Sequence, residues 1–157
     1  MTPGDPTHES AWRPLFGLLR HLDDEIARIY AERESTGIRP RFTPVLIRLH
    51  HRGPSTIREL AAELDQTHSA LSQTVAALRA EALVTSEPGH DARTKVVDLT
   101  ARGRAVVPFL EDEWRATEAA IAELEAELPY PVTRVVRDLK RALATRSFSD
   151  RLRGHLP

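Results

Sequence analysis

Between Thr67 and Thr74 the chain places six hydrogen-bonding side chains in eight positions: Thr67, His68, Ser69, Ser72, Gln73 and Thr74. None carries a full charge at neutral pH, and each can donate and accept. A carboxamide such as that of Gln73 can pair bidentately with adenine, and hydroxyls can read several base edges. At helical spacing Ser69, Ser72, Gln73, Ala76, Ala77 and Ala80 fall on one side of a helix. The alanines leave room for a close neighbour, where a merely solvated face would more usually carry Glu and Lys. The chemistry on offer is recognition of a base-pair edge in a major groove. Farther along, Arg93 and Lys95 supply cations, and Asp91 is placed to orient the Arg93 guanidinium. An arginine in such a setting can hold phosphate or enter a minor groove.

Those side chains need a scaffold, and the flanking residues predict one. Thr56 and Glu59 have the T-x-x-E spacing of a capping box, followed by Ile57, Leu60, Ala61 and Leu64 on one helical face. Asp65-Gln66 is a turn, and Thr67 caps a second helix over about His68 to Ala82, with Leu71, Val75, Leu78 and Ala82 as its buried stripe. Leu83–Ser86 and Lys95–Leu99 have strand composition around a turn-forming segment, Glu87 to Thr94, that contains Pro88-Gly89. The order is helix, turn, helix, hairpin, and it predicts a mainly α fold with a small β-hairpin wing (α+β): a winged helix-turn-helix flanked by N- and C-terminal helices.

Those outer helices are amphipathic. Ser10 starts one that tolerates Pro14 in its first turn and continues through Phe16, Leu19, Leu22, Ile26, Ile29 and Tyr30 to about Glu34. Trp12, Leu15 and Leu18 broaden its apolar stripe. After a loop over Ser35 to Arg41, Thr43 is expected to cap the next helix, with Pro44 at its first position and Val45, Leu46 and Leu49 inside, up to Gly53-Pro54. Thr100 caps a long helix with Val107, Leu110, Trp114, Thr117, Ile121, Leu124 and Leu128 in steps of three and four. Pro129-Tyr130-Pro131 breaks it, and Val132 to Phe148 forms a last helix through Val135, Val136, Leu139 and Leu143. Three apolar stripes at the chain ends predict a second copy of the chain as their partner.

Composition bounds the function classes. The 157 residues are 41% hydrophobic and 29% charged, with a net charge of −1 and no cysteine, which excludes disulfides, thiolate metal sites and cysteine nucleophiles. Residues 39–104 carry 10 Lys and Arg against 7 Asp and Glu, whereas residues 105–128 carry 1 against 7. A mildly basic module joined to an acidic helix suits a DNA-facing part and a part turned away from it. The adjacent His50 and His51 project about 100° apart on a helix, so no metal site is expected. No cofactor, no catalytic constellation and no membrane span is expected either, and the protein is placed in the cytoplasm.

At this point the motifs match a known pattern. Glu59-Leu60-Ala61 with Leu64, the helix from Thr67 to Leu78, Leu83-Val84, Asp91-Ala92-Arg93 and Leu99-Thr100-Ala101-Arg102-Gly103 together resemble the MarR (multiple antibiotic resistance regulator) family of bacterial transcription factors. Asp65 stands where the family usually has a turn glycine, and Ala82 where it has one before Leu-Val. Because alanine disfavours left-handed geometry, the second helix is expected to end differently here. The resemblance implies a homodimeric, ligand-responsive repressor that binds a pseudo-palindromic operator in double-stranded DNA. DNA contacts would come from Thr67, His68, Ser69, Ser72, Gln73, Thr74, Arg93 and Lys95, with Arg52, Arg58 and Arg79 as phosphate contacts. A small aromatic or phenolic effector would lie in a crevice lined by Trp12, Phe16, Leu19, Phe42, Leu46, His50 and Trp114. The organisation expected is a flexible arm (1–9), a winged helix-turn-helix (37–104), a helical dimerisation region (10–36 and 105–150) and a tail (151–157). The competing reading is a ligand- or protein-binding dimer of the same fold that no longer binds DNA specifically.

Overall fold

The computed structural model describes residues 5, 8–32, 38–88 and 95–156. In chain order these form α1 (Arg13–Glu32), a single 3-10 turn (Pro40–Phe42), α2 (Thr43–Arg52), β1 (Ser55–Thr56), α3 (Ile57–Glu63), α4 (His68–Ala80), β2 (Val84–Pro88), β3 (Lys95–Leu99), α5 (Ala101–Ala126), α6 (Val132–Thr145) and α7 (Phe148–Arg153). Mainly α architecture with a small antiparallel wing is what the motif order predicts. The chain divides into two compact units, residues 1–111 and 112–157. The arm at residues 1–9 falls largely outside the described residues.

The first unit contains the buried core. Phe42, Val45, Leu46 and Leu49 from α2 and the turn before it meet Leu60, Leu71, Val75, Leu78, Leu83, Val97, Leu99, Val107 and Leu110. The sheet order is β1-β3-β2, both pairings antiparallel, with Val84 opposite Leu99 and Pro88 opposite Lys95. Alternation along β3 sends Val97 and Leu99 into the core, while Val96 and Asp98 are only half-buried. The third strand, β1, corrects the two-stranded expectation: Ser55 and Thr56 pair with Val97 and Val96 before the chain turns into α3. Two residues are too short to show alternation in sequence.

Several helix ends differ from expectation, each for a local reason. Thr43 is not the cap of α2. Phe42 holds that position without a side-chain bond, and the preceding 3-10 turn runs directly into the helix. Thr43 is instead fully enclosed, its hydroxyl sharing a 2.6 Å hydrogen bond with the Tyr30 hydroxyl of α1. Tyr30 also meets Phe109 of α5 edge-on, with ring centroids 5.4 Å apart. In the second unit, the last long helix stops at Thr145 rather than Phe148, because the Ser147 hydroxyl accepts from the Asp150 backbone and starts α7.

The largest departure is at α4. The helix ends at Ala80, and Ala82, expected on its buried stripe, is exposed in a left-handed conformation with φ 54°. Leu83 N–H donates to Leu78 O at 2.9 Å and Ala82 N–H to Arg79 O at 3.0 Å, the two bonds of a Schellman cap. Asp65 does the same after α3, with φ 51° and Gln66 N–H donating to Ala61 O at 2.9 Å. Both positions thus adopt the geometry for which glycine is better suited, at a conformational cost. The turns keep their shape because hydrogen bonds on either side fix it.

The opening of α5 explains its Leu-Thr-x-x-Gly spacing. Leu99 is buried. The Thr100 hydroxyl accepts from Gly103 N–H at 2.9 Å and donates to Ala82 O at 2.7 Å, so one side chain caps α5 and ties it to the end of α4. Gly103 is buried against the Leu83 carbonyl: a Cβ built there would lie 2.1 Å from that oxygen.

Candidate nucleic-acid interface

The first helix of the pair, α3, is anchored at its start by a complete capping box. Glu59 N–H donates to Thr56 Oγ1, while Thr56 N–H and its hydroxyl each donate to Glu59 Oε2 at 2.7 Å. The backbone bond from Thr56 is the main reason the Glu59 carboxyl sits below its ordinary pKa of 4.5, followed by the Thr56 hydroxyl, with the nearby Arg58 charge adding to the effect. Leu60 and Ala61 dock the helix on the core.

The second helix, α4, buries Leu71, Val75 and Leu78 and turns its other side outward. Thr67 accepts from Ala70 N–H at 3.2 Å and fixes the helix start. His68, Ser69, Gln73, Ala76 and Ala80 are exposed, and Ser72 and Thr74 half-buried. The polar residues selected from sequence therefore lie together on one short helix. Three of them are partly committed within it: Thr74 donates to Ala70 O at 3.2 Å, and Ser72 lies 3.5 Å from His68 Nδ1. Ser69 and Gln73 make no side-chain hydrogen bond among the described residues, so their groups are open to an outside partner. Ala77, expected on the outward side, is half-buried and packed against the core.

Beyond α4, β2 and β3 carry the wing. Lys95 is exposed at the start of β3, opposite Pro88. Asp91 and Arg93 lie outside the described residues. The three arginines considered for phosphate contact are all exposed. Arg58 is on α3 and Arg79 in the last turn of α4, whereas Arg52, at the end of α2, reaches Glu63 at 3.6 Å. Glu63 also meets Arg48 at 3.3 Å, an arrangement the motif reading missed. A signal was present: Arg48 and Arg52 are four apart on one helix, where like charges repel unless a carboxylate answers them. Asp98 holds Arg104 at 3.0 Å, and His51 Nε2 lies 2.6 Å from Glu111 Oε1.

The residues considered for an effector crevice are scattered in character. Phe42 and Leu46 are fully enclosed in the core, His50 is exposed, Trp12, Phe16 and Leu19 are exposed at the start of α1, and Trp114 belongs to the second unit. The His50 and His51 rings meet edge-on at 5.2 Å. Among the described residues, no group of three or more His, Cys, Asp or Glu could hold a metal ion, and no helix is long and apolar enough to cross a membrane.

Comparison with known proteins decides what this fold is. The model of the MarR family matches residues 36–94, the stretch that holds α2, α3, α4 and β2. That segment belongs to the MarR family. The chain also resembles the transcriptional regulator MosR of M. tuberculosis, solved in complex with DNA: 29% identity, TM-score 0.61, covering 88% of this chain and 99% of that one. S. aureus MepR in its DNA complex shares 18% identity with a TM-score of 0.65, covering 87% and 98%. Overoxidised AbfR bound to DNA shares 19% with a TM-score of 0.57, covering 84% and 91%. The last two likenesses concern the fold alone. No curated protein matches the sequence significantly. The MarR-family fold is that of DNA-binding transcription regulators rather than enzymes.

Proposed function

We propose that the protein is a homodimeric, ligand-responsive repressor that binds a pseudo-palindromic DNA operator and works in the cytoplasm. The observation that carries the DNA reading is the outward side of α4. It is exposed, uncharged, built of small and hydrogen-bonding residues, and held rigidly by the Thr67 cap and three buried apolar anchors. A helix of this kind fits a major groove, where Ser69, Ser72 and Gln73 would read base edges and Thr67, His68 and Thr74 would support them. Arg93 and Lys95 of the wing, oriented by Asp91, would add groove or phosphate contacts, as would Arg58 and Arg79. DNA binding by MosR, MepR and AbfR in their solved complexes supports this reading.

The dimer reading is supported by apolar surface without a partner in the single chain. On α1 and just before it, Trp12, Leu15, Phe16, Leu18, Leu19 and Ile29 are exposed, and no described residue beyond Glu111 is buried. In α5 and α6, Trp114, Ile121, Leu124, Val132, Val135, Val136, Leu139 and Leu143 remain between 39% and 49% exposed. Patches of that extent mark association surfaces. Residues 10–36 and 105–150 would then form the dimerisation region around a DNA-binding module at 37–104. A small aromatic or phenolic effector would act by changing the separation of the two α4 helices. The test is binding to random and selected duplexes across a salt series, together with sedimentation of the free protein. The reading expects a dimer, tighter binding to the selected duplex, and a log-log salt slope of about −0.9 per phosphate neutralised. A monomer indifferent to duplex DNA would refute it.

A further inference from the structure

We propose that Glu63 restrains phosphate contact: it holds Arg48 and Arg52 in an ion triad and thereby keeps sequence-independent DNA affinity low. The inference rests on the DNA-binding reading above. Arg48 and Arg52 lie one turn apart on α2 and would repel each other alone. Glu63, the last residue of α3, answers both, Oε2 facing Arg48 Nε at 3.3 Å and Oε1 facing Arg52 Nη2 at 3.6 Å. The side chains are 38%, 61% and 34% exposed respectively for Arg48, Arg52 and Glu63. Ion pairs this open to water add little to stability, so the triad is weakly justified as a structural clasp. They are also easily exchanged, and a phosphate is a competing anion for either guanidinium.

Position gives the triad its meaning. In a helix-turn-helix the first helix crosses the DNA backbone while the second lies in the groove. Here α3 is that first helix, and its final residue directly precedes the turn into α4. A carboxylate at this place opposes phosphate, and the triad presents a net charge of +1 where two unopposed arginines would present +2. Phosphate attraction acts on every sequence equally, so limiting it lowers affinity for all DNA alike and leaves the preference that α4 provides unchanged. Glu63 is therefore a positioning residue that sets general DNA affinity through two arginines, without reading a base itself.

The experiment compares wild type, Glu63→Gln, Glu63→Asp and Glu63→Gln/Arg52→Ala as folded proteins, on random-sequence duplex and on the best selected duplex. Circular dichroism and the thermal midpoint establish that each variant folds. Glu63→Gln should bind both duplexes more tightly at low salt, by about the same factor. Its salt slope should steepen by about 0.9 per subunit for one added phosphate contact, an extra loss of about 3.5-fold per subunit between about 50 and 200 mM salt. Glu63→Asp should stay near wild type, and Arg52→Ala should cancel much of the gain. A folded Glu63→Gln with unchanged or weaker binding and an unchanged slope overturns the inference while leaving the DNA reading intact. Failure of both wild type and Glu63→Gln to bind any duplex at low salt overturns the DNA reading and this inference with it.

Discussion

Replacing Gly103 by alanine should destabilise the protein, although alanine is the better helix former. In an open helical site the substitution would stabilise by about 1 kcal/mol. At Gly103 the new Cβ would lie 2.1 Å from the Leu83 carbonyl oxygen, 3.1 Å from its carbon and 3.3 Å from a Leu99 methyl. The obstacle is backbone, and it is fixed: Thr100 N–H donates to that oxygen at 3.1 Å, and the Thr100 hydroxyl, donated to Ala82 O, lies 3.2 Å from it. Relieving the clash means overpacking at a cost of about 1–3 kcal/mol, with about 1 kcal/mol more for each hydrogen bond lost. Set against the helix-propensity gain, with the one N–H bond lost, the net loss is about 1–3 kcal/mol, a drop of about 1 M in the urea midpoint. Ala82→Gly, at the other side of the same junction, should move the opposite way. Releasing alanine from φ 54° returns about 1–2 kcal/mol, offset by about 0.5–1 kcal/mol of unfolded-state entropy. Urea unfolding at one fixed protein concentration measures both. A neutral or stabilised Gly103→Ala would refute the close approach of α5 to the end of α4.

Further outcomes follow from other contacts. Tyr30→Phe leaves the buried Thr43 hydroxyl without its partner and should cost about 1–3 kcal/mol in thermal unfolding, whereas Tyr30→Phe with Thr43→Val should recover much of that loss. The Glu59 carboxyl lies below its ordinary value of 4.5 when folded, so its contribution is fully present above that value and is lost as pH falls through the depressed one. Acid titrations of stability should accordingly be flatter for Glu59→Gln than for wild type, and identical profiles would remove Glu59 from the acid response. On DNA, Gln73→Ala should relax preference at particular base pairs, while Lys95→Ala should weaken binding to all sequences alike and reduce the salt slope by about 1; equal loss on specific and random duplex in both would end that division of roles.

Much of the DNA-facing module was legible because its signals are local. The Thr56 and Glu59 capping box, the Thr67 cap, and the Leu71, Val75 and Leu78 stripe each depend on residues within one or two helical turns. The missed features depend on distant partners or on chain geometry that composition opposes. Thr43 has the residue type and position of a cap, yet Tyr30 from the preceding helix claims its hydroxyl. Alanine at 82 argued against a left-handed end to α4, but the hydrogen bonds of Leu83 and Thr100 impose one. The break before α7 turned on Ser147, whose cap competes with continuation of α6. Of the candidate site, the outward side of α4 could be read from spacing. For the Glu63 triad the spacing of Arg48 and Arg52 signals only that a carboxylate is needed, since folding alone brings the end of α3 beside α2 and decides which one.

The most direct test of the central claim is selection of sheared genomic DNA from the source organism on purified protein at near-physiological salt, followed by sequencing of the retained fragments. The account predicts enrichment of a pseudo-palindromic site, with loss of that enrichment in a folded Gln73→Ala variant. Retention of nothing, or of all fragments equally, would contradict it.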